Sequence, residues 1–105
     1  MQPLVKAGVN TMSFFLSNEK NELVETSRFN IFLFDKRNDI VFTPSLASGC
    51  INGVYRRFVF CQNFIQLPKL GKKKIQELCL TAEKIYDYQL FVANSVRGVL
   101  LAELL

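Results

Sequence analysis

Apolar and polar positions alternate in short blocks through the first half of the chain, and helical spacing appears only after them. Ser13-Phe14-Phe15-Leu16 is a β-leaning run, Ser17-Asn18-Glu19-Lys20-Asn21 is a polar turn cluster, and Glu22-Leu23-Val24-Glu25 resumes extended structure. Residues 13–25 therefore read as a hairpin. Phe29-Asn30-Ile31-Phe32-Leu33-Phe34 is a strand of aromatic and branched side chains, bounded by the turn Asp35-Lys36-Arg37-Asn38-Asp39. Ile40-Val41-Phe42-Thr43 is the return strand, stopped by Pro44, which has no N–H to give to a ladder. These four short strands predict a meander, and their near-continuous apolar content predicts cover on both faces.

The small, turn-prone stretch Ser48-Gly49-Cys50-Ile51-Asn52-Gly53 changes the pattern. Val54, Phe58, Cys61 and Ile65 then fall at helical spacing and mark an apolar stripe, with Arg57, Gln62 and Asn63 off it. Pro68 and Gly71 mark a loop, and Lys74 to Leu80 alternates as a strand. Thr81 is a candidate N-cap, with Glu83 in the first turn, for a short helix through about Asp87. Gln89-Leu90-Phe91-Val92-Ala93 is another strand, closing on Asn94-Ser95. Val99 to Leu105 stays apolar to the last residue with no capping signal, which predicts that the chain is part of a larger domain. The expected class is α+β: a short-strand meander followed by helix, strand, helix and strand.

Composition narrows the function classes. With 105 residues the chain forms one domain at most, and a 50% hydrophobic content excludes a disordered chain. So much apolar side chain in so small a protein predicts more hydrophobic surface than its own core can hide. The net charge is +4, but acids intersperse the basic residues, and Lys72-Lys73-Lys74 reads as solvated surface, so no nucleic-acid partner is expected. No apolar run approaches the ~18 residues of a membrane span, and no signal peptide is evident at Met1-Gln2-Pro3-Leu4-Val5-Lys6. Cys50, Cys61 and Cys79 are widely spaced without a CxxC, which argues against a disulfide framework or zinc site and for a reducing cytoplasm. The chain has no His, so the commonest neutral-pH acid/base and the imidazole metal ligand are missing.

Two features carry chemistry. Gly49-Cys50-Ile51-Asn52-Gly53 opens a helix, whose first-turn N–H groups make an anion site; alternatively the glycines serve only a tight turn. Glu25 ends an apolar strand among Leu23, Val24, Phe29 and Ile31: it is either partly buried and in need of a partner, or an edge residue facing water. An acid that neutralises a protonated ring nitrogen, together with a phosphate-holding helix start, matches the two ends of pyridoxal phosphate.

The ordered stretches Glu25-Thr26-Ser27-Arg28-Phe29-Asn30-Ile31-Phe32, Ile40-Val41-Phe42-Thr43-Pro44 and Gly49-Cys50-Ile51-Asn52-Gly53-Val54-Tyr55-Arg56 resemble the signature of the class IV aminotransferases. That family includes branched-chain aminotransferases, D-amino-acid aminotransferases and 4-amino-4-deoxychorismate lyases. Leu90 to Gly98 resembles its next block, and Phe14 to Lys20 fits its hairpin.

The resemblance implies pyridoxal 5'-phosphate as cofactor, an amino-acid or aminodeoxychorismate substrate, and a homodimer in the complete protein. The reaction it implies is transamination or pyruvate-releasing elimination through a lysine Schiff base. It assigns Glu25 to the pyridine nitrogen, the N–H groups of Val54 and Tyr55 to the phosphate, the Ser95 hydroxyl to the phosphate as well, and Ser95-Val96 to the substrate carboxylate. Asn30 is expected to order the turn rather than touch the cofactor, and Tyr55 stands where aminotransferases commonly have Thr. Asn52-Gly53, in place of the Pro-Gly frequent in branched-chain aminotransferases, leans toward an aminodeoxychorismate-lyase-like member.

The Schiff-base lysine is expected upstream of Met1. Lys6 lies too close to Glu25 for that role, and Lys6-Ala7-Gly8 resembles instead the end of the preceding helix, with Gly8 as its cap. Residues 1–105 would thus be a partial C-terminal domain, inactive as it stands. The alternative is a truncated, non-catalytic homologue acting as a binding subunit.

Overall fold

Asn30–Asp35 and Gln89–Asn94 pair antiparallel at the centre of the molecule, with Phe32 opposite Phe91 and Leu33 opposite Leu90. Alternation along a strand sends successive side chains to opposite faces. Ile31, Leu33, Leu90 and Val92 therefore enter one core, with Leu23, Phe29, Leu80 and Ile85. Phe32, Phe34, Phe91 and Ala93 enter a second core, with Val41, Val59, Ile65 and Leu67. The continuous apolar runs do have cover on both faces, as the sequence predicts.

The computed structural model describes residues 4–7 and 11–104. In chain order its elements are β1 (Leu4–Ala7), β2 (Thr11–Ser17), β3 (Leu23–Thr26), β4 (Asn30–Asp35), β5 (Ile40–Pro44), α1 (Val54–Gln62), β6 (Ile65–Leu67), β7 (Gly71–Leu78), β8 (Gln89–Asn94) and β9 (Gly98–Leu104). The described strands form one sheet ordered β3-β2-β1-β9-β8-β4-β5-β7-β6. All pairs are antiparallel except β5 with β7, which are parallel and joined through the crossover that carries α1. The class is the expected α+β, a sheet with few helices.

Several local expectations are corrected. The β2–β3 hairpin forms, but β3 and β4 are not hydrogen-bonded neighbours, so the meander is broken between them. Thr26 causes the break: its Oγ1 accepts the N–H groups of Arg28 (3.3 Å) and Phe29 (3.0 Å), folding the chain away before β4 begins. Strand β3 is instead held across the fold, where Leu23 N–H donates to the Leu80 carbonyl at 2.7 Å.

The first helix ends at Gln62 rather than continuing to Ile65, because Asn63 takes a left-handed conformation (φ 65°) and Ile65 starts β6. The apolar stripe of that helix faces outward. Val54 is 60% and Phe58 53% exposed, and Cys61 is exposed, whereas Arg56 and Val59 are buried against the sheet. The second helix is a 3-10 helix over Ala82–Asp87. Thr81 holds the N-cap position without capping through its side chain, and Lys84 N–H reaches back three residues to the Thr81 carbonyl. Six residues are too few to sustain α-helical nucleation alone.

Leu4–Ala7 is a strand, not the end of a helix, with Lys6 in register with Met12 on one side and Glu103 on the other. Gly8, the predicted cap, lies outside the described residues. The apolar C-terminal run is used as β9, between β8 and β1, and Leu105 lies outside the described residues.

Phe32 has no exposure, and its ring fills the second core. Phe32→Ala is expected to destabilise the protein by about 3–5 kcal/mol, the usual cost of emptying an aromatic site. A urea unfolding midpoint that stays at the wild-type value would contradict this packing.

Candidate functional site

The site forms where three turns converge at one end of the central strands: the chain from Glu25 to Asn30, the stretch from Gly49 to the start of α1, and the β8–β9 turn. Gly49 follows a 3-10 turn (Leu46–Ser48) capped by Ser45, and adopts φ 104°, which only glycine enters without strain. Its N–H returns to the Leu46 carbonyl, so Gly49 serves the tight turn. Gly53 has the other role. It is the N-cap of α1 with φ −64°, and a Cβ there would stand 2.9 Å from Asn30 Oδ1.

Two side chains grip the peptide between those glycines. Glu25 Oε1 accepts the Ile51 N–H at 2.7 Å, and Asn30 Nδ2 donates to the Ile51 carbonyl at 3.0 Å. Glu25 is therefore half-buried and partnered by a backbone N–H, and Asn30 orders the turn as the sequence suggests. Among the described residues no hydrogen bond engages Glu25 Oε2.

The start of α1 is anchored from below by Arg56, which is 3% exposed. Its guanidinium donates to the Pro44 carbonyl at 3.2 Å and the Asn52 side chain at 3.4 Å, and pairs closely with Glu77. It also lies over the Phe60 ring, while its Nε has no partner. In the sequence Arg56 reads as one half of a basic pair; its one signal is its place just inside the first turn of a helix lacking an acidic or hydroxyl cap.

No side chain caps α1, so its first N–H groups point outward with the positive end of the helix dipole behind them. The Tyr55 ring is drawn toward the second core, and burial pushes its phenol above its ordinary value.

Glu25, Val54, Tyr55 and Ser95 all line one cavity of about 200 Å3. Val96 lines an adjoining cavity of about 330 Å3 instead. Asn94 builds the turn that carries both: its Oδ1 accepts the N–H groups of Val96 (3.1 Å) and Arg97 (2.7 Å), and Nδ2 donates to the Arg28 carbonyl (3.2 Å). Asn94 is a second residue that sequence reasoning missed, although an Asn opening a short turn before Gly98 is a readable signal. A carboxylate and an uncapped helix start on one small cavity are suited to a molecule cationic at one end and anionic at the other. These residues therefore fit pyridoxal phosphate.

Among the described residues, no helix is long and apolar enough to cross a membrane. The family model described as amino-transferase class IV matches residues 6–103, and the chain belongs to that family. No curated protein matches it.

Solved structures share the fold. A Legionella pneumophila protein provisionally designated a 4-amino-4-deoxychorismate lyase is 28% identical with a TM-score of 0.68, over 83% of this chain and 30% of its own. A Mesorhizobium loti protein provisionally designated an amino-acid aminotransferase is 24% identical with a TM-score of 0.70, over 85% and 38%. A T.th. branched-chain amino acid aminotransferase, solved with N-(5'-phosphopyridoxyl)-L-glutamate, is 19% identical with a TM-score of 0.65, over 85% and 28%. The chain thus spans well under half the length of these structures.

The grip on Ile51 generates a double-mutant test. Gly53→Ala forces Asn30 aside and should cost about 1 kcal/mol, the scale of one hydrogen bond. In an Asn30→Ala background the same change should cost clearly less, since the obstructing Oδ1 is gone and only the poorer N-capping of alanine remains. Equal costs in both backgrounds, measured by urea unfolding, would contradict the contact.

The cysteines allow a second check. Burial raises the Cys50 thiol above its usual value, with the Glu25 and Glu77 charges adding to the rise and Arg56 opposing it. A raised value keeps the thiol protonated, so at pH 8 iodoacetamide should modify the exposed Cys61 and Cys79 before Cys50. Mass mapping that finds Cys50 alkylated first would overturn this.

Proposed function

We propose that this chain is the partial C-terminal, pyridoxal-phosphate-binding domain of a class IV aminotransferase or aminodeoxychorismate-lyase-like enzyme. The carrying observation is that Glu25, the uncapped start of α1 at Val54 and Tyr55, and Ser95 line the same cavity. Pyridoxal phosphate, when bound, supplies the electron sink for chemistry at an amino-acid α-carbon.

Each residue of this chain then has a defined task. Glu25, held in place by Ile51 N–H through one oxygen, presents the other to the pyridine nitrogen and keeps a proton there. The Val54 and Tyr55 N–H groups and the helix dipole bind the phosphate, and the Ser95 hydroxyl adds a further donor. Ser95 and Val96, at the tip of the Asn94-ordered turn, orient the substrate carboxylate.

In this reading the Schiff-base lysine and the other half of the substrate pocket belong to parts of a longer, homodimeric, cytoplasmic protein outside residues 1–105, and these residues alone are expected to be catalytically silent. The relatives' greater length supports that reading.

A second reading, a non-catalytic homologue that serves as a binding subunit, is favoured by the outward apolar face of α1 at Val54 and Phe58. A monomeric, monodisperse protein by sedimentation would count against it.

The cofactor reading is tested by mixing the protein with pyridoxal phosphate and recording the visible spectrum, then borohydride treatment and intact mass. Saturable spectral change without a covalent adduct is expected, weakened about tenfold by Glu25→Gln, the scale of a lost hydrogen bond to a charged group. A reduced adduct mapping to Lys6 would show that the lysine assignment is wrong. An unchanged spectrum would refute cofactor binding by this chain.

A further inference from the structure

We infer that Glu77 is a positioning residue for the phosphate grip, although it stands outside the candidate cofactor cavity. With Arg56 it clamps the chain between β5 and α1 and so aims the first turn of the helix. As a statement about phosphate, this rests on the reading of the cavity given above. Neither Glu77 nor Arg56 is among the described residues that line that cavity.

Strand register brings Glu77 to its place. β5 and β7 pair in parallel with Thr43 opposite Glu77 and Pro44 opposite Leu78, so Glu77 stands beside the point where the chain leaves β5. Its Oε2 accepts the Leu46 N–H at 3.3 Å, just past that point, and pairs closely with the Arg56 guanidinium in the first turn of α1. One oxygen thus holds both ends of the segment that contains Gly49, Ile51 and Gly53. The guanidinium closes the loop from within, donating to the Pro44 carbonyl at 3.2 Å and the Asn52 side chain at 3.4 Å.

A segment held at both ends has fewer conformations than one held at a single end. Glu25 and Asn30 restrain its middle, at Ile51, and leave the helix start to the clamp. First-turn N–H groups hold an anion only where they converge on it. Without Glu77, Arg56 keeps a buried charge with no carboxylate beside it, a costly state that the first turn relieves by shifting toward water.

Two simpler roles for Glu77 give different results. A carboxylate acting through its charge alone repels an anion, so its removal would tighten phosphate binding. One that serves only overall stability would, when removed, loosen the whole sheet. A positioning carboxylate weakens the grip and loosens the helix start alone.

The test is NMR of the isotope-labelled protein with inorganic phosphate as the probe and no pyridoxal phosphate. Phosphate is expected to move the Val54 and Tyr55 amide resonances, and Glu77→Ala to raise the half-saturation about fivefold, the scale of one lost hydrogen bond. Hydrogen exchange without phosphate gives the second reading. The Arg57 N–H, bonded to the Gly53 carbonyl at 3.0 Å, should exchange about fivefold faster in Glu77→Ala relative to the amides of β8, as a local opening requires. Glu77→Gln, nearly isosteric and still an acceptor, keeps the measurement possible if Glu77→Ala does not fold, and should raise the half-saturation about twofold. Half-saturation that stays level or falls in the variants, or Arg57 exchange that quickens only in step with β8, would overturn the proposal alone. No phosphate response in the unaltered protein would overturn the phosphate reading of the cavity and this proposal with it.

Discussion

The backbone of Ile51 is held on both sides of its Cα, its N–H by Glu25 at the end of β3 and its carbonyl by Asn30 at the start of β4. A loop of small residues has many conformations open to it, and two side-chain hydrogen bonds from a rigid sheet remove most of them. The residues after Ile51 inherit that restriction. Gly53 can approach Asn30 only because it lacks a Cβ, and α1 starts where Gly53 leaves it. Arg56 then secures the first turn to the ends of β5 and β7 through Pro44 and Glu77. The same carboxylate that faces the cavity thus also fixes the helix start opposite it.

Much of the sheet is legible in the sequence because alternation and composition agree there. Phe29 to Phe34 and Gln89 to Ala93 are continuous apolar runs, and both become central strands with a core on each face. The α1 stripe misleads because spacing reports that apolar residues share a face, not which way that face points. Val54 and Phe58 share it, yet the inward position goes to Arg56, a charge whose partners are a carbonyl and a carboxylate distant in sequence. The strand pairings are equally hidden: Thr26 turns the chain aside by accepting Arg28 and Phe29 N–H groups, a local contact that periodicity does not register. The β1 register likewise depends on β9, at the far end of the chain.

The site divides along the same line. Glu25, the helix start and Ser95 are readable from local chemistry and from resemblance, and the fold brings them to one cavity. Asn94 announces its local turn to Val96 and Arg97, but its bond to the Arg28 carbonyl, like the contacts of Arg56 with Pro44 and Glu77, joins segments that come close only in the folded chain.

The anchoring of Arg56 has a consequence for the order of folding. A helix of nine residues has little persistence in water, and the partners that hold its first turn through Arg56 lie on β5 and β7. Those two strands pair in parallel, so they meet only after the intervening chain has crossed over, a slow kind of closure. During synthesis, Glu77 leaves the ribosome after α1 is already outside. The first turn of α1 therefore waits for a strand made later, and the anion-facing end of the molecule takes shape after the hairpin that supplies Glu25.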